Sequence, residues 1–166
     1  MTDSNPRILE RVDLTIIGQR GNEQNADFLS ERVSIMLHLE DQIKNVENQA
    51  LCQVIWAKNK ENTFDIFVGY EIIIVESVPI EMEVYQIKSE KMAAFEHTGN
   101  SKSLTNFIKS IYDDWLPNSI YSLNNMDFTQ IQFVSQTKET NHLLPSKKRI
   151  FKWEIWIPII PLSVLN

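Results

Sequence analysis

Near the C-terminus, the segment FKWEIWIPI (residues 151–159) alternates its side chains with the period of a strand. Phe151, Trp153, Ile155 and Ile157 fall on one face, and Lys152, Glu154 and Trp156 on the other. The apolar set has to meet a covering layer, so Glu154 and Trp156 point together to the opposite side. An earlier segment, FDIFVGYEI over 64–72, can be laid on the same pattern, which puts Phe67 and Gly69 where Glu154 and Trp156 stand. A half-buried carboxylate supplies countercharge, aromatic faces attract cations and a glycine leaves an open position. The four together have the makings of a site for a flat, partly cationic ligand. The competing reading is a solvated strand face, the usual fate of a Glu beside a Lys.

Other chemistry-bearing residues form no constellation. His97 has no sequence-near Cys or second His to share a metal, and reads as a hydrogen-bonded turn residue. His38 and His142 stand apart, and no GxSxG elbow accompanies any serine. Lys147, Lys148 and Arg149 are the one basic cluster, which reads as loop solvation. Cys52 is the single cysteine; it lies in the apolar run 51–55 and reads as a buried small hydrophobe, with no disulfide and no zinc site. The four glycines, at 18, 21, 69 and 99, lack the close spacing of phosphate-binding loops. No cofactor and no metal is expected.

The elements that must position these residues follow from periodicity. Residues 11–19 alternate Val12, Leu14 and Ile16 with Asp13 and Thr15, which predicts a half-buried strand. Leu29, Val33, Met36, Leu37, Ile43 and Val46 fall at helical spacing and predict an amphipathic helix over about 26–46. Residues 51–57 and 63–75 predict two strands joined as a hairpin through 58–62. After Pro79 the order starts again, with 82–87 and 92–98 as a strand pair closed by Gly99. Ser101 or Ser103 then caps a helix in which Leu104, Phe107, Ile108, Ile111, Tyr112, Trp115 and Leu116 hold i, i+3, i+4, i+7 spacing until Pro117 stops it. Tyr112 and Trp115 are core residues of that stripe by default, with a pocket role open near the helix end. Residues 128–136, which include Phe133, and 150–157 predict the last two strands. The polar loop 137–149 between them is the expected mobile part.

Coarsely, this is strand, helix, strand, strand, twice: an internal duplication with half-repeats over about 8–78 and 80–162. Short connections favour antiparallel pairing, so the expected fold is α+β, with duplicated β-α-β-β units forming an antiparallel sheet and two main helices on one face.

The chain has 166 residues, the size of one domain, so a two-lobed enzyme is not expected. With 43% apolar and 23% charged residues it can bury a core. A formal charge of −6 argues against nucleic acid and anionic lipid as partners and favours a cationic or neutral small molecule. The N-terminal residues 1–11 are polar, without a signal-peptide stretch, and the longest apolar run, 155–165, is too short for a bilayer and holds Pro158 and Pro161. A cytoplasmic, reducing setting follows as an expectation.

The segments MAAFEHTGNSKSLTNFIKSIYDDWLP (92–117), FKWEIWIPI and FDIFVGYEI resemble the GyrI-like or bacterial effector-binding domain, the ligand-sensing half of multidrug-responsive and AraC-type transcription regulators. The resemblance covers nearly the whole chain. Its most specific part is Glu154, Ile155, Trp156, Ile157, Pro158, and the Phe95 to Gly99 turn motif is the second. It implies a ligand groove where the two halves meet at a pseudo-twofold seam, receiving bulky hydrophobic and often cationic compounds. Glu154 would be the countercharge and Trp156 an aromatic wall, with Phe67, Gly69, Phe95, Phe133, Tyr112 and Trp115 as further ligand-binding candidates. Relatives often carry an acidic and an aromatic residue just after the Phe of the seventh strand. This chain reads Phe128, Thr129, Gln130, Ile131, so one charge is missing and a neutral or zwitterionic ligand stays open. The strand pattern begins by Val12, leaving no stretch for the regulators' helix-turn-helix domain, so direct DNA binding is not expected.

Three functions compete. The first is stand-alone binding of a bulky amphipathic ligand, cationic ones included. The second is a hydrolase opening a strained electrophilic small molecule, with Glu154 as base and no other catalytic residue named. The third is a protein-binding module like the family's gyrase inhibitor.

Overall fold

The computed structural model describes residues 5–23, 36, 39–124, 128–136 and 151–164. The alternation seen at 11–19 belongs to a longer strand, β1 (Arg7–Glu23). Strands β2 (Val46–Lys58) and β3 (Phe64–Ile72) form the expected hairpin. Asn59 organises its turn: its Oδ1 accepts from the Glu61 and Thr63 amides at 3.0 and 3.1 Å. Strand β4 (Glu83–Gly99) is followed by helix α1 (Ser101–Ser110), strands β5 (Tyr121–Leu123), β6 (Gln130–Gln136) and β7 (Phe151–Pro161), and a closing 3-10 turn (Leu162–Val164).

Several expectations are corrected. Residues 82–87 and 92–98 are one continuous strand, β4, rather than a pair. The charged stretch Lys88 to Lys91, which interrupts the apolar alternation, pairs with β1 instead of turning. Most of the helix expected over 26–46 lies outside the described residues. Met36 and Leu39 are helical, a 3-10 turn follows at Glu40–Gln42, and the left-handed Asn45 (φ 63°) ends the segment before Val46, which is already strand. The cap of α1 is Asn100, whose side chain accepts from the Ser103 amide at 2.9 Å. Pro117 does not stop the helix. Having no N–H and a ring that crowds the carbonyl four residues back, it is accommodated by a wide π-helical turn (Ile111–Trp115), where the Leu116 amide reaches Ile111 O, and the helix runs on through Leu116–Asn118. The loop 137–149 lies outside the described residues.

All pairings are antiparallel, and the sheet order is β4-β1-β3-β2-β6-β7-β5. Strand β4 also pairs with β7, so β1, β3, β2, β6, β7 and β4 close into a ring. Two clusters divide the apolar residues. The outer one joins Trp153, Ile155, Ile157 and Val68 to Leu104 and Phe107 of α1 and to Ile111 of the π-helical turn. The inner one draws on all six ring strands, with Leu14, Ile16, Cys52, Val54, Phe67, Ile87, Met92, Ile131 and Phe133 at its centre and Trp56, Tyr85 and Trp156 packed against it. Ile87 and Met92 both belong to it although they are five positions apart, an odd step, so β4 exchanges its faces between them. The partner strand bends at the same level, at the left-handed Arg11 (φ 53°).

The ring also needs a close approach where β1 meets β3. Gly18 stands opposite Gly69, and a Cβ on Gly69 would sit 2.1 Å from Ile17 O. That oxygen is backbone and cannot step aside. Gly69→Ala is expected to destabilise the fold by about 2–3 kcal/mol or more, as overpacking against backbone does. Urea unfolding measures it, and a midpoint unchanged from the parent would refute the close-approach role.

Candidate functional site

The alternation of β7 places Glu154 and Trp156 on the inner face, away from α1. Across the strands, Trp156 stands opposite Ala94 of β4 and Ile131 of β6, and Glu154 opposite Glu96 and Phe133. The Trp156 and Phe133 rings are 4.6 Å apart at 53°, a tilted aromatic pair. The Trp156 indole Nε1 is buried and has no hydrogen-bond partner among the described residues. Phe67 is fully buried in the same inner cluster. Glu154, Trp156, Phe133 and Phe67 therefore share one face.

The electrostatics of that face include residues that sequence reasoning missed. Arg7 of β1, opposite Ala94, donates from Nη2 to Glu154 Oε1 at 2.5 Å. The Glu154 side chain is 27% exposed and that of Arg7 57%, so the carboxylate is the sheltered partner. Glu96 sets a second carboxylate in cross-strand register with Glu154, an arrangement of like charges that Arg7 offsets. Arg7 carries no periodic signal, and although Glu96 falls within the expected strand 92–98, nothing in the sequence says that this strand pairs with β7 beside Glu154.

Gly69 is not an open position. It is filled by the backbone of β1, and its role is the close approach described above. Phe95, Tyr112 and Trp115 lie on the other side of the sheet. Phe95 packs edge-on against Trp115 at 5.0 Å under α1, and these two, with Phe107, Ser110 and Asp114 but not Tyr112, line a cavity of about 330 Å³. The Tyr112 hydroxyl donates to Thr129 O at 3.4 Å, and burial pushes its pKa up to about 12. The eight candidate residues are thus split between two faces.

His97 closes β4 rather than sitting in a turn. Its Nε2 lies 3.0 Å from Ser103 Oγ, its ring stacks on Phe107 at 4.6 Å, and burial lowers its pKa. Cys52 is fully buried, and burial, reinforced by the Glu71 carboxylate, raises its thiol pKa well above the ordinary value. It packs as an apolar group.

Residues 7–159 match the model of the integron-associated effector binding protein family. The chain belongs to that family. It is a GyrI-like effector-binding domain, as the resemblance in its sequence implied. Among solved structures, the C-terminal domain of EcmrR is similar at 14% identity, with 96% of this chain and 99% of that one covered and a TM-score of 0.65. SAV2435 bound to tetraphenylphosphonium is similar at 14% identity, with 96% of each chain covered and a TM-score of 0.58. An integron cassette protein of Vibrio cholerae shares 11% identity over 95% of this chain and 97% of that one, at a TM-score of 0.52. In a DNA complex of EcmrR, the effector-binding chain described here spans 59% of the regulator's length. No curated protein sequence matches the chain significantly. Among the described residues no helix is long and apolar enough to cross a membrane.

His97 gives this family member a testable pH response. Its folded pKa lies below the unfolded value, so the unfolded chain binds more protons as pH falls, and stability is lost through the window just under about 6.5. His97→Gln keeps a polar partner for Ser103 and removes the titration. The fall in melting temperature from pH 7 to pH 5 is expected to be smaller in the variant, and an equal fall would overturn the assignment.

Proposed function

We propose that this effector-binding domain captures a bulky, amphipathic, aromatic small molecule on its inner face, with Glu154 as countercharge, Trp156 and Phe133 as walls and Phe67 deeper in the same cluster. The observation that carries the reading is the sheltered Glu154 carboxylate on the same face as the tilted Trp156–Phe133 pair. A carboxylate beside aromatic faces, bordering an apolar interior, selects ligands that are themselves apolar and positively charged. SAV2435, which shares the fold, holds tetraphenylphosphonium, a bulky lipophilic cation.

The reading includes a duplicated β-α-β-β domain. Its support is the strand order, β1-β3-β2 in the first half and β4-β7-β6 in the second, with β2 pairing β6 and β1 pairing β4 between the halves. We place the protein in a reducing bacterial cytoplasm, consistent with its lone buried cysteine. Direct DNA contact is no part of the reading, given the charge of −6.

A second reading, hydrolysis with Glu154 as base, is favoured by one finding: a Listeria innocua protein described as a hydrolase has a similar fold, at 8% identity and a TM-score of 0.57. Water activation at Glu154 would need a further group to hold the substrate, and Arg7 is the polar side chain bonded to it. If the parent protein consumes no strained electrophile under conditions where it binds one, this second reading falls.

Titration with tetraphenylphosphonium, followed by tryptophan fluorescence, tests the first. The parent signal is expected to change and Trp156→Phe to lose most of the change. Glu154→Gln should weaken the cation about tenfold, or ~1.4 kcal/mol, while sparing a neutral aromatic analogue. Arg7→Ala is expected to act oppositely, tightening the cation by releasing the carboxylate. A Trp156→Phe variant with the full parental signal would sink the proposal.

A further inference from the structure

At another part of the inner face, four strands bring together a set of groups of which the effector reading uses only Phe67. Phe67 of β3 stands directly opposite Arg20 of β1. Trp56 comes from the irregular end of β2, and Tyr85 and Glu83 lie two residues apart on one face of β4. The Trp56 and Phe67 rings lie 5.5 and 5.4 Å from the Tyr85 ring, so the three form a connected box. The Arg20 guanidinium sits in it, 5.8, 5.7 and 5.2 Å from the centroids of Trp56, Phe67 and Tyr85, and its Nε donates to Glu83.

We infer that Arg20 is the tethered occupant of an organic-cation site built from Trp56, Phe67, Tyr85 and Glu83, and that a ligand carrying a guanidinium or quaternary ammonium group binds there by displacing it. Three aromatic faces and one carboxylate around a single charge are the elements that recognise such cations, and nothing in the box is particular to an arginine of its own chain. The occupant is positioned to leave. The Arg20 and Glu83 side chains are 54% and 49% exposed, so the arginine can swing into water without opening the core, while Phe67 beneath remains buried. An exposed ion pair of this kind holds its partners weakly. A side chain on a short tether presents its head group at an effective concentration in the millimolar range, so it suppresses weak cations and yields to strong ones. Arg20 then acts as a built-in threshold on cation binding. The inference shares Phe67 with the proposed effector site and does not depend on Glu154.

The test uses the full chain and phenyltrimethylammonium as probe, with affinity read by calorimetry and Trp56 emission. Arg20→Ala is expected to bind the probe about tenfold more tightly than the parent. Arg20→Met, which keeps the apolar stem, should gain similarly if truncation to alanine impairs folding. Adding Tyr85→Ala should abolish the gain. Equal affinity of the parent and both Arg20 variants overturns the inference. The same comparison in a Glu154→Gln background separates the sites. A gain that persists there supports the Arg20 box whether or not the Trp156 site exists, and a gain that disappears shows the cation at Glu154 and overturns the inference.

Discussion

Everything in the structure depends on strand β4 having two partners. It pairs with β1 through most of its length and with β7 at its C-terminal end, and that double pairing turns an open sheet into a ring. Closure removes two exposed edges and creates an enclosed face that an open sheet with helices on one side would not have. It also imposes local conditions. The strand must exchange faces between Ile87 and Met92, β1 must bend at Arg11, and Gly18 and Gly69 must let backbones approach without side chains between them.

An enclosed apolar face with charges along its borders has a simple electrostatic logic. The interior of the ring is filled by aliphatic and aromatic residues, while Glu154 and Glu83 stand where solvent begins. Each is answered by an arginine from β1, Arg7 for one and Arg20 for the other. One long strand thus supplies both cations, and the two carboxylates come from β7 and β4, the strands it helps to close. The arrangement couples the ring's pairing to its charge balance, since a slip of β1 against β4 would separate both pairs and turn their side chains to the wrong face.

The sequence made the faces of β7 legible, because Phe151 to Ile157 alternate without interruption and only one face could meet a helix. Phe67 and Trp156 meeting in one cluster follows from that same period of two. What it hid was anything that depended on closure. Lys88 to Lys91 read as a break that divides β4, and the pairing of its second half with β7, which sets Glu96 beside Glu154, leaves no mark in either strand's own pattern. Gly69 looked like open space because a glycine in a string says nothing about which backbone approaches it. Phe95, Tyr112 and Trp115 were grouped with Glu154 through the family resemblance, whereas strand parity and the stripe of α1 put them on the far side. Pro117 misled in a different way: a helix can widen by one residue to keep a proline, and no local pattern announces that it will.

The indole nitrogen of Trp156 is a donor shut away from water. Among the described residues it meets no acceptor, and a buried donor of that kind is unfavourable for a folded chain to keep, because its hydration is given up without replacement. For an incoming molecule the account reverses. In the proposed site, an oxygen brought within reach of that N–H would gain a hydrogen bond to a group already stripped of water, which would favour a guest carrying an acceptor at that point over one that is hydrocarbon throughout. A side chain that reads as an aromatic wall is thereby also a directional one.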